Sequence, residues 1–448
     1  TGSSNTPLTA PLFSNVTFIG PRENSATPNS LYRRAMHLRR NSRTSVYNSV
    51  FTGYPTGLHI DATASQGAAT SNDLQLENLV FANMGVNFEQ TSGANTWSGM
   101  TAYFTDPTRA NETYASTTSL GLQSGYNSLT NPTLLPASGS ILLTGASFSN
   151  SRLSTDPFWT PTTFRGAFGT QDWTAGWANF NPNGTNYSVP GVVQITSDIT
   201  TNTTWTKDNI YVLNGYRYIK DGATLTIEPG TLIKGDKASK ATLIVSRTGK
   251  LVANGTACEP IVFTSNEPAG QRTYGDWGGI VMLGNATVNI AGGSGLIEGG
   301  LLGADATYGG TNDDDSSGVM RYVRIEFPGI AYQPNNEING LTMGGVGRKT
   351  VIENIQVSYS GDDCYEWFGG TVNGRNLIAI RGWDDDFDVD FGFRGKVQFG
   401  LVIRDGAIAD QSQSNGFESD NDGTGSSNTP LTAPLFSNVT FIGPRENS

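Results

Sequence analysis

One short phrase recurs along the chain and restricts the folds that it can adopt: an asparagine or a similar residue, followed by alternating apolar residues. Because side chains alternate between the two faces of a strand, each copy predicts a short β-strand with one buried face. The anchor residues Ile355, Ile378 and Leu401 follow one another at 23 residues, which predicts a regular coil of that length. The copies are RYVRIEF (321–327), ENIQVSY (353–359), NLIAIRG (376–382), FGLVIRD (399–405), SNVTFIG (14–20 and 437–443), YNSVFTG (47–53) and ENLVFAN (77–83).

The text between these copies contains tight corners rather than helices. GATLTIEPGTLIKG (222–235) and GKLVANGTACEPIVFTS (249–265) each place two or three strands between corners, which is how one coil of a parallel β-helix is built. Glycine is abundant, at 55 of 448 residues. A chain of this length exceeds the usual size of one globular core, so an architecture that grows by repetition fits it. We therefore predict an all-β parallel β-helix, a solenoid with loops inserted between its coils.

The two ends of the chain are identical, because residues 1–25 and 424–448 both read TGSSNTPLTAPLFSNVTFIGPRENS. We expect one repeat unit written in a rotated frame, with a natural order of 188–448 followed by 26–187. Residues 188–448 then form the N-terminal-like coils, 1–93 continue the stack, and 94–187 form the final coil or coils and an aromatic-rich capping segment. One stack has one slot for the repeated coil. We therefore expect one copy to be displaced, to cap an end, or to pair with a neighbouring molecule.

The charge of the chain limits its partners. A net charge of −11 and a pI near 4.7 argue against nucleic acid, because phosphate binding needs a basic face. Cations and neutral glycans fit this charge better. No apolar run approaches the ~20 residues of a membrane helix, so we expect a mature soluble chain without a transmembrane segment. The two cysteines, Cys258 and Cys364, leave open either one disulfide or two separate thiols.

The second strand of each coil carries one polar residue between mostly apolar neighbours. Strand alternation points that residue outward, and stacked coils place successive copies ~4.8 Å apart. Carboxylates at that spacing repel one another, so they should raise one another's pKa or share a cation. The predicted column on one exterior face contains Thr342, Glu366, Asp388, Glu418, His37 and His59.

Aspartates at the corners around this strand suggest a calcium site, since Ca²⁺ takes six to eight oxygen ligands. The alternative is that aspartate favours tight corners because its side chain bonds to nearby backbone. The acidic loop NDDDSSG (312–318) leaves the same two interpretations open. The predicted metal ligands are Asp384, Asp385, Asp386, Asp390, Asp420 and Asp422, and the preceding corner adds Asp362 and Asp363.

A basic cluster lies in YRRAMHLRRNSR, beside His37. It consists of Arg33, Arg34, Arg39, Arg40 and Arg43. The cluster either balances the acidic column or contacts an anion or an acidic sugar. On the second interpretation Arg39 joins Glu366, Asp388, Glu418, His37 and His59 as a ligand-binding residue. Trp277, Trp367 and Trp383 are candidate sugar platforms, and of these Trp367 aligns with core positions, which favours a packed side chain.

Several long motifs carry a family resemblance over nearly the whole chain. They are GATLTIEPGTLIKG, DWGGIVMLG (276–284), GDDCYEWFGGTVNG (361–374), DDDFDVDFG (384–392) and SNGFESDND (414–422), with RGAFGTQDWTAGWANF similar to a C-terminus of that family. Together they resemble exported right-handed β-helix proteins common in Bacteroidota. The resemblance implies a right-handed solenoid at the outer-membrane surface or outside the cell, and it implies no particular activity.

Two functions follow as expectations. The first is a surface or extracellular β-helix, structural or binding, that presents an acidic and calcium-loaded face for adhesion, assembly or glycan contact. The second is a polysaccharide-active enzyme, either a glycoside hydrolase with Glu366, Asp388 and Glu418 as acid and base, or a lyase with Arg381 or Arg404 as base. No specific catalytic motif is present, so we expect a non-enzymatic role ahead of an enzymatic one, with self-association through the β-helix ends as a further expectation.

Overall fold

The structure is a computed structural model, and it describes residues 9–23, 32–89, 97–128, 131–185, 191–333, 336–410 and 414–443. The chain divides into two compact units. The first unit consists of Thr1–Trp173, Val397–Ala407 and Leu435–Ser448, and the second consists of Thr174–Lys396 and Ile408–Pro434. The three segments predicted from the sequence, with boundaries at 93 and 188, stay a prediction.

Short strands account for most of the regular structure. In chain order they are β1 Leu12–Ser14, β2 Thr17–Ile19, β3 Arg34–Leu38, β4 Ser45–Tyr47, β5 Val50–Thr52, β6 Thr56–Ile60, β7 Leu76–Glu77, β8 Val80–Ala82, β9 Val86–Phe88, β10 Glu112–Tyr114, β11 Gly191–Ile195, β12 Thr203–Trp205, β13 Asn209–Leu213, β14 Tyr216–Ile219, β15 Thr224–Ile227, β16 Leu232–Gly235, β17 Thr242–Val245, β18 Lys250–Asn254, β19 Ile261–Ser265, β20 Gly279–Leu283, β21 Gly295–Leu296, β22 Thr307–Tyr308, β23 Gly318–Glu326, β24 Ala331–Gln333, β25 Asn336–Glu337, β26 Leu341–Val346, β27 Val351–Ser358, β28 Tyr365–Gly370, β29 Asn373–Ile380, β30 Phe387–Asp390, β31 Lys396–Ile403, β32 Phe417–Ser419 and β33 Leu435–Ile442.

Helices are few and short. The α-helices are α1 Thr63–Thr70, α2 Met100–Phe104 and α3 Ser151–Ser154, and the 3-10 helices are Pro21–Glu23, Pro107–Arg109, Thr117–Leu120, Ile141–Leu143, Pro182–Gly184 and Ala304–Ala306. Across the described ranges, none of the helices has the length and apolarity required to cross a bilayer. Cys258 is exposed and Cys364 is buried, and both are free thiols, so the interpretation with two separate thiols is correct.

The second unit is a stack of parallel coils. One face is a seven-stranded sheet in the order β14-β17-β20-β26-β28-β30-β32. On another face β13, β16, β19, β23, β27 and β29 follow one another, again with parallel pairing. Successive coils therefore lie on top of one another, with apolar residues such as Ile325, Ile355 and Leu377 buried between the faces. The predicted all-β parallel β-helix is confirmed.

A left-handed backbone residue bends each long strand of this stack. Tyr322, Asn354 and Asn376 have φ values of 48°, 57° and 57°, a region that asparagine tolerates better than most residues. The bends lie in register, so Ile355 pairs with Leu377. The predicted interval from Ile355 to Ile378 is therefore wrong by one residue. The apolar letters permit either register, whereas alignment of the two bends permits only one.

The first unit stacks both copies of the repeated coil. β1 pairs in parallel with β33, so that Leu12 faces Leu435, its own duplicate, and on its other side β1 pairs with β4. Phe18 lies between Phe441 and Phe51, with ring centroids 4.7 Å away on both sides. The expectation that the stack has a single slot for this coil is wrong. Identical copies bury identical faces and bend at equivalent asparagines, so one is a ready partner for the other.

The remainder of the first unit closes one end of its stack and runs along its side. β10 pairs with β8 as a further coil. Phe104 of α2 packs on Phe81 in the core, with ring centroids 4.6 Å apart. After α2, the chain runs beside the asparagines at which the strands of this unit bend. The side-chain amides of these asparagines donate hydrogen bonds to backbone carbonyls of that later chain segment. Asn15 donates to Phe164 at 2.6 Å, and Asn48 donates to Ser147 at 3.0 Å.

Candidate functional site

The polar column predicted on the second strands exists in the second unit. Thr342 faces Glu366, Glu366 faces Asp388, and Asp388 faces Glu418 on successive parallel strands of the seven-stranded sheet. Alternation points these side chains away from the core, in which Trp367 and Val389 are buried. We call these four residues the acidic ladder. Its register is the one that the sequence predicts.

Exposure increases along the acidic ladder. Thr342 and Glu366 are 1 % and 7 % exposed, Asp388 is partly buried, and Glu418 is exposed. The expected solvent-facing positions of Thr342 and Glu366 are therefore wrong. The chain between β20 and β23 covers this part of the outer sheet face, where Val288, Ile297, Leu301 and Tyr308 pack against Ile244 and Val281.

Three carboxyl groups meet at the edge of that cover. Oxygens of Asp363, Glu366 and Asp388 lie within 4.8 Å of one another. Burial and the neighbouring carboxylates raise the pKa of Asp363 and of Glu366 well above the usual range. Burial, with the charge of Glu418, raises the pKa of Asp388 to about 7. Without a cation, this group therefore holds protons at a pH where isolated carboxyl groups have lost them.

Oxygen atoms around the three carboxyl groups lack protein partners. Asn339 is 1 % exposed, and its amide nitrogen donates to Glu298 at 2.8 Å and also to Glu366. Its Oδ1 is buried without a hydrogen-bond partner in the described chain, as are Oγ1 of Thr342 and Oδ1 of Asp388. Buried acceptors of this kind are costly when unpaired. Together with the carboxylates they form a donor set of hard oxygens, which suits Ca²⁺.

The predicted corner aspartates divide into different roles. Asp384 lies with Asp362 and Asp363 in a second trio whose oxygens are also within 4.8 Å of one another. Asp422 accepts from Thr424 and Ser426, and although burial works in the opposite direction, these hydrogen bonds hold its pKa at about 2. The turn interpretation is therefore correct for Asp422. Among the described residues, no such trio includes Asp385, Asp386, Asp390, Asp420 or Asp422.

Two of these corner aspartates are nevertheless perturbed. Asp385 accepts from the backbone of Asn415, and burial together with a hydrogen bond to Glu418 raises its pKa to about 10. Burial raises the pKa of Asp390 to about 6. Asp386 is fully buried, whereas Asp420 is exposed. Carboxyl groups with a raised pKa thus lie at the corners on both sides of the acidic ladder.

An exposed aromatic side chain adjoins the second trio. Trp383, which directly precedes Asp384, is 38 % exposed and packs edge-to-face on Tyr274 with centroids 5.4 Å apart. Trp277 and Trp367 are buried, and Trp277 donates to the carbonyl of Glu326 at 2.8 Å. Trp277 is therefore not a sugar platform, and Trp383 is the candidate that remains.

The histidines of the predicted column lie in the first unit. His37 faces His59 across β3 and β6, and their rings stack with centroids 4.8 Å apart and an interplanar angle of 2°. His59 is 2 % exposed, so its expected position on a solvent face is wrong. The continuation of the column from Glu418 to His37 stays a prediction.

Much of the basic cluster balances acidic side chains. Arg34 makes two hydrogen bonds to Glu89, and Arg43 donates to Asp73 at 2.5 Å. Arg39 is exposed beside the histidines. The acidic loop 312–318 is charge-balanced too, because Arg394 lies 3.3 Å from Asp313.

Comparison with known proteins gives one positive result. The family model of a pectate-lyase-like beta helix domain matches residues 1–128 and 197–448. The chain belongs to this family. No curated protein and no solved structure matches the chain. The parallel β-helix is thus common to the family and to the structure, and the family description is compatible with both polysaccharide binding and an enzymatic role.

Neither arginine considered as a lyase base is well placed in this pectate-lyase-like domain. Arg404 is 4 % exposed. Arg381 donates to the hydroxyl of Tyr359 at 2.5 Å, and its guanidinium lies 5.4 Å from the Tyr359 ring centroid. A base must reach the substrate proton directly or through one water. Burial keeps Arg404 from that role. Arg381 instead supports Tyr359, which packs on Tyr274 beside Trp383.

Four residues around the acidic ladder and around the stacked pair of His37 and His59 were not predicted from the sequence. Asn339 and Glu298 lie on loops, and no periodic pattern marks them. Asp61 and Glu89 could have been found, because Asp61 follows His59 on the same strand face and Glu89 occupies the column position one coil beyond His59, as Phe88 pairs with Leu58. The coil template ended too early to include Glu89.

Proposed function

We propose that this pectate-lyase-like β-helix is an extracellular or cell-surface polysaccharide-binding protein, whose acidic ladder holds Ca²⁺ beside the glycan contact. The observation that carries the proposal is the meeting of three carboxyl groups within 4.8 Å next to buried oxygens without protein partners. The location follows the family resemblance of the sequence motifs. Adhesion and assembly through the ends of the solenoid belong to the same proposal.

A cation explains how Glu366 and Asp388 of the acidic ladder tolerate each other's charge and that of the adjacent Asp363. Ionising Asp363, Glu366 and Asp388 together in a buried site is unfavourable, because their charges repel in a medium of low effective dielectric. Protons relieve the repulsion at low pH. Ca²⁺ relieves it at neutral pH and also accepts the neutral oxygens of Asn339 and Thr342. This supplies five protein residues toward the six to eight oxygens that Ca²⁺ takes.

The glycan contact lies at the neighbouring corner. Asp363 belongs to both trios, so the buried cluster continues to Asp362 and Asp384 and from there to Trp383. An exposed aromatic ring offers an apolar face to a sugar ring, and a neighbouring carboxylate orients the hydroxyl groups. The N–H of Trp383 donates to Asp410 at 3.3 Å, which fixes the orientation of the ring. With a net charge of −11, a neutral glycan, or an acidic one bridged by Ca²⁺, is the expected ligand class.

One observation favours the enzymatic alternative. Asp388, with a pKa of about 7, is suited to general-acid catalysis at neutral pH, and Glu418 is its exposed neighbour in the acidic ladder. A glycoside hydrolase would use Asp388 as acid, with Glu418 as nucleophile or base. Glu366, buried beneath the cover, would tune the pKa of Asp388 without contacting substrate.

The two functions can be separated by a binding screen run together with a turnover screen. The chain is tested against neutral and acidic polysaccharides, with Ca²⁺ or with chelator, by affinity electrophoresis and by reducing-end and unsaturated-product assays. We expect retardation by at least one glycan, weakened by Trp383→Ala. The matched control is Tyr332→Ala, because Tyr332 is an exposed aromatic residue outside the site, and it should bind normally.

The outcomes for Asp388→Asn decide between the hypotheses. If the wild type binds a glycan but forms no product from it, the binding function is supported. Turnover that disappears in Asp388→Asn would establish the enzymatic alternative. Equal binding by the wild type and Trp383→Ala would remove the proposed glycan contact.

A further inference from the structure

A second polar group lies in the first unit, on the three-stranded sheet β3-β6-β9. His37 and His59 are cross-strand neighbours, and Asp61 follows directly after β6. Nε2 of His37 lies 3.4 Å from Oδ2 of Asp61. One ligand atom from each of the three side chains lies within 4.8 Å of the other two.

The strands beneath this group hold it in place. Met36, Leu38, Leu58 and Ile60 alternate with the histidines and are buried in the core of the unit. The histidine side chains therefore project from a packed sheet rather than from a loop. Asp61 is attached to the same frame, because its backbone N–H donates to the carbonyl of Leu38 at 2.7 Å.

A carboxylate supports the buried histidine from behind. Oε2 of Glu89 lies 3.6 Å from Nδ1 of His59, and Arg34 holds Glu89 through two hydrogen bonds. Histidines that bind a metal commonly direct the other ring nitrogen at a carboxylate, which fixes the tautomer and the ring orientation. Glu89 lies on the Nδ1 side of His59, where it is placed to orient that ring.

We propose that His37, His59 and Asp61 form a binding site for a divalent transition metal, with Zn²⁺ as the best match. Two imidazole nitrogens and one carboxylate oxygen are a donor set that zinc binds in proteins, often with one position left open. Ca²⁺ and Mg²⁺ prefer oxygen ligands. The site therefore differs in chemistry from the acidic ladder and does not depend on the proposed function.

The exposure of the three side chains leaves one side of the site open. His59 is 3 % exposed in its side chain, whereas His37 and Asp61 are 27 % and 23 % exposed. A metal can therefore enter from the side of His37 and Asp61 and keep a water or an external ligand. Oδ1 of Asp61 is buried and has no hydrogen-bond partner in the described chain, so that carboxylate retains capacity for a ligand.

The protonation of the histidines is compatible with a metal. Burial, assisted by the charge of Arg34, lowers the pKa of His37 to about 4, and burial also lowers the pKa of His59. Both rings are neutral at pH 7, the form that offers a nitrogen lone pair. Zinc at about 2.0–2.1 Å from each ligand atom requires the three groups to close by roughly 1 Å.

The test is a zinc titration of the full chain, stripped with chelator and dialysed. A chromophoric chelator competes for Zn²⁺, and Cys258→Ser is the background because this exposed thiol could bind zinc. We expect one tight Zn²⁺ per chain. His37→Gln and Asp61→Asn should each weaken the affinity at least about 10-fold, and Glu89→Gln, which removes only the supporting carboxylate, should weaken it about 10–100-fold.

The control is Asp73→Asn, the same chemical change at an exposed ion pair with Arg43, and it should bind Zn²⁺ like the background. Co²⁺ provides an independent readout, since bound cobalt should give visible absorption bands of low-symmetry coordination that His37→Gln abolishes. Circular dichroism confirms that each variant is folded. The proposal is overturned if the chain binds no Zn²⁺, or if folded His37→Gln and Asp61→Asn bind it as tightly as Asp73→Asn.

Discussion

Asp388→Asn should change how the stability of the second unit depends on pH. The raised pKa of Asp388, about 7 against an ordinary 3.8, means that the folded state favours the protonated form. Stability from this group is fully present below pH ~4 and is lost as the pH rises through ~7. At about 1.4 kcal/mol per pKa unit, the loss reaches at most about 4 kcal/mol. Asparagine cannot ionise, so the variant does not undergo this loss.

The expected signal is a difference in melting temperature between the variant and the wild type. For a unit of about 250 residues, an unfolding entropy of about 2.1 cal/mol/K per residue converts about 4 kcal/mol into about 8 °C. The variant should therefore gain up to about 8 °C on the wild type between pH 4.5 and pH 8. Differential scanning fluorimetry in chelator measures it. A difference that stays constant across this range would refute the reasoning.

Two further predictions concern the solenoid itself. Phe18→Ala removes the central ring of a three-ring stack. Because Phe18 is partly buried, the change should cost up to about 3 kcal/mol in denaturant unfolding, and Phe13→Ala, whose ring is 6.2 Å from its one stacked neighbour, should cost less. A cost for Phe18→Ala no larger than for Phe13→Ala would show that the closer three-ring packing adds no stability. Asn354→Ala places alanine at a φ of 57° and should cost about 1–2 kcal/mol, whereas Asn354→Gly should recover most of the loss; equal destabilisation by both would show that the bend is not the cause.

The fold could be predicted because it rests on local patterns that repeat. Alternating apolar residues and tight corners identify the strands, and repetition identifies the solenoid. The exact register could not be predicted, since the letters around Ile355 and Ile378 permit two alignments. What decides between them is the left-handed backbone at Asn354 and Asn376, a conformation that the sequence only suggests.

The alignment of the candidate site residues along the stack could be predicted from the sequence, whereas their burial and their contacts with loops could not. Strand alternation and coil spacing placed Glu366, Asp388 and Glu418 in one column. The burial of Glu366 could not be foreseen, because it depends on how the chain between β20 and β23 packs on the sheet. The same long-range packing brings Asn339 to Glu366, and local composition carries no sign of it.

The repeated ends show a different limit of sequence reasoning. The expectation of a single position in the stack assumed that each coil sequence fits next to only one neighbour on each side. In a parallel solenoid, however, any coil that bends at the same place and buries the same face can follow its own copy. Leu12 on Leu435 and Phe18 on Phe441 show this directly.

Calcium titration calorimetry tests the central claim most directly. At pH 7.5, we expect one Ca²⁺ site with a dissociation constant of roughly 10⁻⁴–10⁻³ M or tighter, and we expect Glu366→Gln and Asp388→Asn each to abolish it. Because burial and the neighbouring carboxylates raise the pKa of Asp363 and of Glu366 well above the usual range, Ca²⁺ binding should also displace protons, seen as a heat that changes with the ionisation enthalpy of the buffer. Absence of Ca²⁺ binding, or binding that both variants retain without proton release, would contradict the assignment of the acidic ladder as a calcium site.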